Sequence, residues 1–466
     1  MSISKIMAIV LLVSLVSAWS AAQAQPAASG PESSTDSASQ AAAMPAPITG
    51  QGGSLAFTSE LGRINYIRGG LSLASTFDDN TLNTSTDPVS DVTYSVWPTI
   101  AFDQSRGRLK WTLDYAGGLT IDQRLSARNQ GSHAAGLKAD FRVSPHVTFR
   151  LLDRFTDTTS FFTDVNGTTD APAGGVLQHP NQSLVTPLAR QIGNFTSAEG
   201  EYQFGAGSIV GGSGSYYFSR FSDPDSGTGS ASGLLEDTRS EQAQGFYTHR
   251  LTPKNWAGVT YRFQRLTFGS GVNETLSHSI LYFHTIYLNP TMTLSVFGGP
   301  EYVDSSSQTI NPIIQLPLIL MVATPVDHQA WSGSGGATFA WQGRHTSASV
   351  DAVRRISDGG GLLGAVRTNS LDASLRRQLN RFSSFEVGGG YATNDAVDFT
   401  AAPGSSIRGI SGRVTFEQRL INNLVLRLGY ARDNQRQSST GATPADIDHN
   451  RAWVSLAYNF SRPWGR

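Results

Sequence analysis

Residues 109–122 read LKWTLDYAGGLTID, and this stretch decides the fold. Apolar or small residues occupy every second position, with Lys110, Thr112, Asp114, Thr120 and Asp122 between them. Because successive side chains of a β-strand point to opposite faces, this alternation produces one apolar face and one polar face. The pattern returns along the chain in segments of about ten residues separated by turn residues, which is typical of a transmembrane β-barrel with lipid outside and water inside.

The first residues indicate the cellular compartment. Lys5 precedes an apolar run at residues 6–16, and Ala22 and Ala24 are small residues suited to a cleavage site. We predict a secretory signal peptide in residues 1–24. No later stretch approaches the roughly 20 apolar residues that a membrane-spanning helix needs. The chain contains no cysteine, so a lipid-carrying cysteine, a disulfide framework and a thiolate metal site are all excluded.

The chain divides by composition into a tail and a barrel. Residues 25–60 are rich in Ala, Ser, Pro and Gly, which predicts a disordered periplasmic tail. Residues 61–466 carry the alternating pattern and are predicted to form the barrel. The net charge of −1 gives no support for nucleic-acid binding.

The spacing of turns predicts the strand count and the orientation. Tight turns, as at residues 144–146, alternate with longer polar loops, as at residues 158–190. Short turns are periplasmic and long loops extracellular in bacterial barrels, so we predict a closed antiparallel barrel of about 18 strands with both termini periplasmic. Because Pro98 and Pro300 fall inside proposed strands, about 16 strands is the alternative count. A large secreted β-protein is the alternative fold.

These features resemble the β-barrel porin families of bacterial outer membranes, including members associated with exopolysaccharide export. The resemblance rests on the paired strands at residues 94–102 and 108–119, the turn at residues 144–146 and an amphipathic last strand ending at Phe460. It implies an outer-membrane channel for small hydrophilic solutes or a part of a saccharide export system. The expected partners are outer-membrane lipid, the barrel assembly machinery and the solute or saccharide.

The polar phase of the strands collects charged residues that we predict to line the pore. A charge facing lipid at mid-depth costs about 2–4 kcal/mol, so these side chains are expected inside. Pairs of them fill the barrel, and rows of opposite charge also orient solutes and tune ion preference. The predicted pore-lining residues are Asp114, Asp140, Arg142, Arg150, Glu199, Glu201, Arg262, Asp372, Arg376, Arg413, Glu417 and Arg427.

An apolar segment at residues 311–326 lies in a predicted extracellular loop. It is too short to span a membrane and too apolar to remain in water, so we expect it to fold into the barrel mouth. Resting on lipid and binding a partner are the alternatives. The predicted constriction-loop residues are Ile313, Ile314, Leu316, Leu318, Ile319, Leu320 and Met321.

No motif predicts catalysis. The glycines at residues 359–364 match GxGxxG, but they join two amphipathic strands where a dinucleotide site needs a strand followed by a helix, so we interpret them as a flexible surface loop. The sequence has no GxSxG or HExxH, and its histidines lack ligand spacing. We expect no enzymatic activity, no cofactor and no metal site. A closed structural or adhesin-like barrel and a membrane-embedded hydrolase are the alternative functions.

Overall fold

A computed structural model describes residues 65–85, 87–125, 129–158, 189–205, 207–222, 235–269, 273–315, 318–359, 364–397, 406–438 and 445–464. Residues 308–315, 318–325 and 445 are described by their backbone alone. The predicted signal peptide and periplasmic tail lie outside these residues. Within the described ranges, no helix is long and apolar enough to cross a membrane.

The described chain is built from antiparallel β-strands. They are β1 (Asn65–Asp78), β2 (Asp91–Arg106), β3 (Leu109–Asp122), β4 (Gln130–Ser144), β5 (Val147–Thr158), β6 (Arg190–Phe204), β7 (Ser208–Ser222), β8 (Thr238–Thr252), β9 (Asn255–Phe268), β10 (Asn273–Asn289), β11 (Met292–Gln315), β12 (Leu318–Gln342), β13 (Thr346–Ser357), β14 (Val366–Gln378), β15 (Ser383–Ala396), β16 (Ser406–Ile421), β17 (Leu424–Ser438) and β18 (Ala445–Pro463). Each strand pairs with its neighbours along the chain, and β1 pairs with both β2 and β18. The ring is therefore closed, which confirms the predicted barrel of 18 strands and excludes the count of 16. The periplasmic position of the termini stays a prediction.

Both prolines that favoured the lower count lie inside strands, at local faults in the ladder. At Pro98, the β2–β3 register passes from Val96 directly to Thr99. At Pro300, the β10–β11 register likewise omits the positions next to the proline. Proline has no N–H to donate, so each strand keeps its regular ladder on the side opposite the fault. The prolines interrupt pairing without ending a strand.

The apolar phase of the strands faces outward. On β3, Leu113 and Tyr115 are 45% and 43% exposed, and on β5 Phe149 is 51% exposed. Exposed apolar residues recur on nearly every strand of the ring. Isolated exposed apolar residues are ordinary in soluble proteins, but an apolar surface that continues around a barrel is the wall that lipid requires.

The predicted loop at residues 311–326 is instead the outer end of a long β-hairpin. Strands β11 and β12 pair up to Ile314 with Ile319 and Gln315 with Leu318. Ile313, Ile314, Leu318, Ile319, Leu320 and Met321 therefore lie in strands, and the expectation of a loop is wrong for them; Leu316 lies outside the described residues. The β-branched and aliphatic residues that made the segment apolar also favour strands, and each strand satisfies the backbone of the other. A constricting role for this segment stays a prediction.

Candidate functional site

The candidate site is the inner wall of the barrel. All of the predicted pore-lining residues lie in strands, in the phase opposite to the exposed apolar residues; on β3, for example, Asp114 lies between Leu113 and Tyr115. Strand alternation therefore points their side chains toward the lumen. Their role in lining an open pore stays a prediction.

Four of these residues come together around one guanidinium. Arg150 on β5 lies 2.7 Å from Glu199 and 2.9 Å from Glu201, both on β6, and 3.8 Å from Asp140 on β4. The register explains the cluster, because Arg150 is directly opposite Asp140 on one side and Glu199 on the other. One positive charge thus serves three carboxylates. The cluster is held together by Arg150 and carries a net negative charge.

Other predicted pore-lining residues also form ion pairs, two of them with carboxylates outside the predicted set. Arg427 lies 3.0 Å from Glu417 across β16 and β17. Arg413 lies 3.6 Å from Glu386, and Arg262 lies 3.6 Å from the fully buried Glu301. The alternating phase already placed Glu386 and Glu301 inward, so phase alone would have found them.

The remaining predicted pore-lining residues have surroundings that differ from one to the next. Asp372 is opposite Asp351 in the β13–β14 register, with Arg355 near enough to interact electrostatically. Asp114 lies against Gly136, where an added Cβ would come within 2.7 Å of the carboxylate. Within the described part of the chain, Arg142 and Arg376 form no ion pair. The ion pairs thus stabilise the wall unevenly, leaving some charges available to a solute.

Inward-facing aromatic rings lie over glycines of the neighbouring strand. The Trp453 ring covers Gly429, and the Trp97 ring covers Gly118. Phe246 covers Gly211 in the same way, and Phe283 covers Gly258. An added Cβ on any of these glycines would lie 2.5 Å or less from the ring. The glycines therefore let bulky inward residues lie along the wall without projecting into the lumen.

Gly429→Ala is expected to destabilise the barrel by about 1–3 kcal/mol, because the new methyl group must displace the Trp453 ring. Urea-induced unfolding of the protein in lipid vesicles would measure the difference. Gly388→Ala on β15 is the matched control, since it also lies on the inner wall and the nearest atoms to its added Cβ are 3.7 Å away, an ordinary van der Waals contact. Equal stability of the two variants would show that the ring does not depend on the glycine.

The end of the β13–β14 hairpin that carries its connecting residues turns into the lumen. Strand β13 pairs with β12 only as far as Arg354, opposite Gly335. Ile356 shares its strand phase with Val350, which is exposed on the outer wall, yet Ile356 is 3% exposed. Its buried cluster contains Leu266, Phe268 and Val303, all inward-facing residues of β9 and β11. The hairpin end has therefore left the wall and packs against the inner face of the barrel.

This inward end reaches strand β8. The Asp358 carboxylate lies 3.4 Å from the Thr238 hydroxyl, although β8 and β13 are five strands apart, roughly 24 Å along the wall. Ser357, Thr368 and Asn394 form a chain of 2.7 Å hydrogen bonds across β13, β14 and β15. The Val397 amide donates to the Ala365 carbonyl at 2.9 Å. These hydrogen bonds tie the inward end to β14 and β15, on the side of β13 opposite to β12.

The prediction of a flexible surface loop between β13 and β14 is therefore wrong for the buried residues of this connection. Asp358 is 2% exposed and Ala365 is 4% exposed. Gly359 and Gly364 have φ of +63° and +68°, in the left-handed region that glycine adopts without strain. These two glycines turn the chain at the inward end. Residues 360–363 lie outside the described residues.

Comparison with known proteins gives similarity at the level of structure alone. No family model matches the chain, and no curated protein matches it. It is similar to OpdQ of Pseudomonas aeruginosa, with 13% identity, a TM-score of 0.42, and coverage of 85% of this chain and 99% of OpdQ. It is also similar to OpdK of the same organism solved with vanillate, with 10% identity, a TM-score of 0.43, and coverage of 86% and 100%. A third is OccK2 (OpdF) of Pseudomonas aeruginosa solved with glucuronate, with 12% identity, a TM-score of 0.44, and coverage of 84% and 98%.

Proposed function

We propose that this protein is a passive channel of the bacterial outer membrane for small hydrophilic solutes. The observation that carries the proposal is the two-sided wall: a closed ring of 18 strands with apolar residues exposed outside and ion-paired polar residues inside. A closed barrel leaves no strand edge unpaired in lipid, and a polar lumen replaces the hydration of a passing solute. The protein acts without chemistry, by shape and charge.

The inward end of the β13–β14 hairpin narrows this channel. It spans from its own wall to Thr238 and contacts the inner face over β9 and β11, so a solute entering from the long-loop side must pass beside it. The rest of the inner wall, including the Arg150 cluster, then meets the solute. Outer-membrane lipid and the barrel assembly machinery are the partners that such a wall needs. A role in exopolysaccharide export is the more specific form of the proposal.

Conductance tests this proposal. Purified protein reconstituted in a planar bilayer should produce stepwise, ohmic current increments in KCl. A gel-shift control, in which unboiled and boiled samples migrate differently, establishes that the barrel is folded. A folded protein that gives no current would favour the closed structural or adhesin-like barrel. Hydrolysis of lipid or ester substrates by such a protein would favour the membrane-embedded hydrolase.

Arg150→Ala is expected to make the channel more selective for cations. The substitution removes the one positive charge among Asp140, Glu199 and Glu201, so the lumen at this level becomes strongly negative. The reversal potential in a KCl gradient measures the change. Arg142→Ala removes an equal charge from an exposed position on β4 and is expected to shift the potential less. A larger shift for Arg142→Ala would contradict the central place of the Arg150 cluster.

A further inference from the structure

The inner faces of β7 and β8 carry no charge between Ile209 and Ser219 and between Thr238 and Thr248. Their inward residues are Ile209, Gly211, Ser213, Ser215, Tyr217 and Ser219 on β7, and Thr238, Ser240, Gln242, Gln244, Phe246 and Thr248 on β8. We call this surface the neutral wall. The flanking strands differ, since β6 carries Glu199 and Glu201 and β9 carries Arg262. Uncharged wall of this extent contrasts with the charged inner faces of β4 to β6 and β14 to β18.

The neutral wall offers unused hydrogen-bonding groups. In the register, Gln242 lies between Ser215 and Gln264, and Ser240 is opposite Tyr217. Gln244 lies between Ser213 and Arg262, whose charge is paired with Glu301 at 3.6 Å. Gln242 and Gln244 are half-buried, so water reaches them from the lumen. Among the described residues, neither side-chain amide has a hydrogen-bond partner. Two amides are therefore free to bind a solute.

The neutral wall also lies where the channel narrows. Its upper end, at Thr238, is the place where Asp358 of the inward hairpin end makes contact. Gln242 lies four residues further along β8, roughly 13 Å below that contact. A solute that passes the inward end therefore meets the two free amides next.

An amide and a hydroxyl each donate and accept hydrogen bonds, and so does the hydroxyl group of a solute. A charged solute gains nothing from this surface that the ion-paired walls do not offer more strongly. Building on the proposed channel function, we propose that the neutral wall binds uncharged, hydroxyl-rich solutes of the sugar or polyol class during their passage. Gln242 and Gln244 are the residues that select them, each exchanging hydrogen bonds with the solute's hydroxyl groups.

The test compares glucose with glucosamine and glucuronate, which have the same ring and differ in charge. Each sugar is added to single channels of the full-length protein, and its affinity is taken from the fractional block of the KCl current. Glucose is expected to bind most tightly. The double substitution Gln242→Leu with Gln244→Leu should weaken the glucose block about tenfold, measured relative to the variant's own current without sugar, because it removes hydrogen bonds and no charge.

Two further variants keep the inference falsifiable. Gln130→Leu removes an inward amide from β4, outside the neutral wall, and should leave the glucose block unchanged. Gln242→Glu with Gln244→Glu keeps the strand polar if the leucine variant fails to fold, and it should weaken glucose and favour glucosamine. An unchanged glucose block in both double variants, or tighter binding of a charged sugar by the native protein, overturns the neutral-wall inference and leaves the channel standing. A folded barrel without ionic current overturns both.

Discussion

Leu113→Arg is expected to prevent most of the protein from assembling, whereas Thr112→Arg leaves assembly nearly intact. Leu113 is 45% exposed on the outer wall of β3, so an arginine there must face hydrocarbon, at a cost of about 2–4 kcal/mol at mid-depth. The Thr112 hydroxyl donates to Asp103 at 2.8 Å on the inner side of the same strand, where an arginine would meet a carboxylate. Refolding into lipid vesicles, followed by the gel shift, measures the yield of each variant.

The neighbouring positions make this comparison strict. Thr112 and Leu113 share one strand, one depth and the same synthesis, and they differ only in the face they occupy. Similar yields from the two arginine variants would mean that the assigned faces are wrong, and the lipid-facing wall with them.

Replacing residues 358–365 with a two-residue Asn-Gly turn is expected to raise the single-channel conductance to roughly double its native value. The replacement removes the contact of Asp358 with Thr238 and takes Ala365 out of the buried cluster. The barrel ladder itself does not depend on this connection, because β13 and β14 pair from Thr346–Arg377 to Ser357–Val366. An Asn-Gly pair suits a two-residue hairpin turn at that position. Current recordings before and after replacement give the ratio.

Deletion of residues 311–326 is the companion experiment. Beyond Ser306, the strands of this outer hairpin pair with each other and with no other described strand, so the deletion should leave the ring intact. The conductance rises if this segment covers the pore, as its apolar sequence predicts, and stays constant if the hairpin stands clear.

An unchanged conductance after replacement of residues 358–365 in a folded barrel would show that the inward end does not limit the flow of ions.

The sequence alone predicts the barrel, because its cause is local. A strand facing lipid on one side and water on the other must alternate, and Leu113 beside Asp114 shows that alternation without any knowledge of the neighbouring strands. The same phase assigns Arg150, Glu199 and Arg427 to the inner side. Which of these charges meet depends on the register between neighbouring strands, and the alternating pattern of a single strand does not give that register. The grouping of Asp140, Glu199 and Glu201 around Arg150 therefore required the structure.

The inward hairpin end could not be predicted from the same pattern. Ile356 continues the outward phase of β13, and only the departure of β13 from β12 beyond Arg354 brings it to Val303. The glycines at 359 and 364 are interpreted from the sequence as part of a flexible surface loop, because a turn toward water and a turn into the lumen need the same backbone freedom. Apolar character was similarly ambiguous at residues 311–326, where it favours a strand as well as burial.

Single-channel recording of the purified, heat-modifiable protein in a planar lipid bilayer tests the central claim most directly. The proposed open, polar lumen predicts discrete current steps that scale linearly with voltage and with KCl concentration, and that grow larger when residues 358–365 are replaced. A protein that is shown to be folded by its gel shift, inserts into the bilayer and carries no current, with or without residues 358–365, would contradict the account.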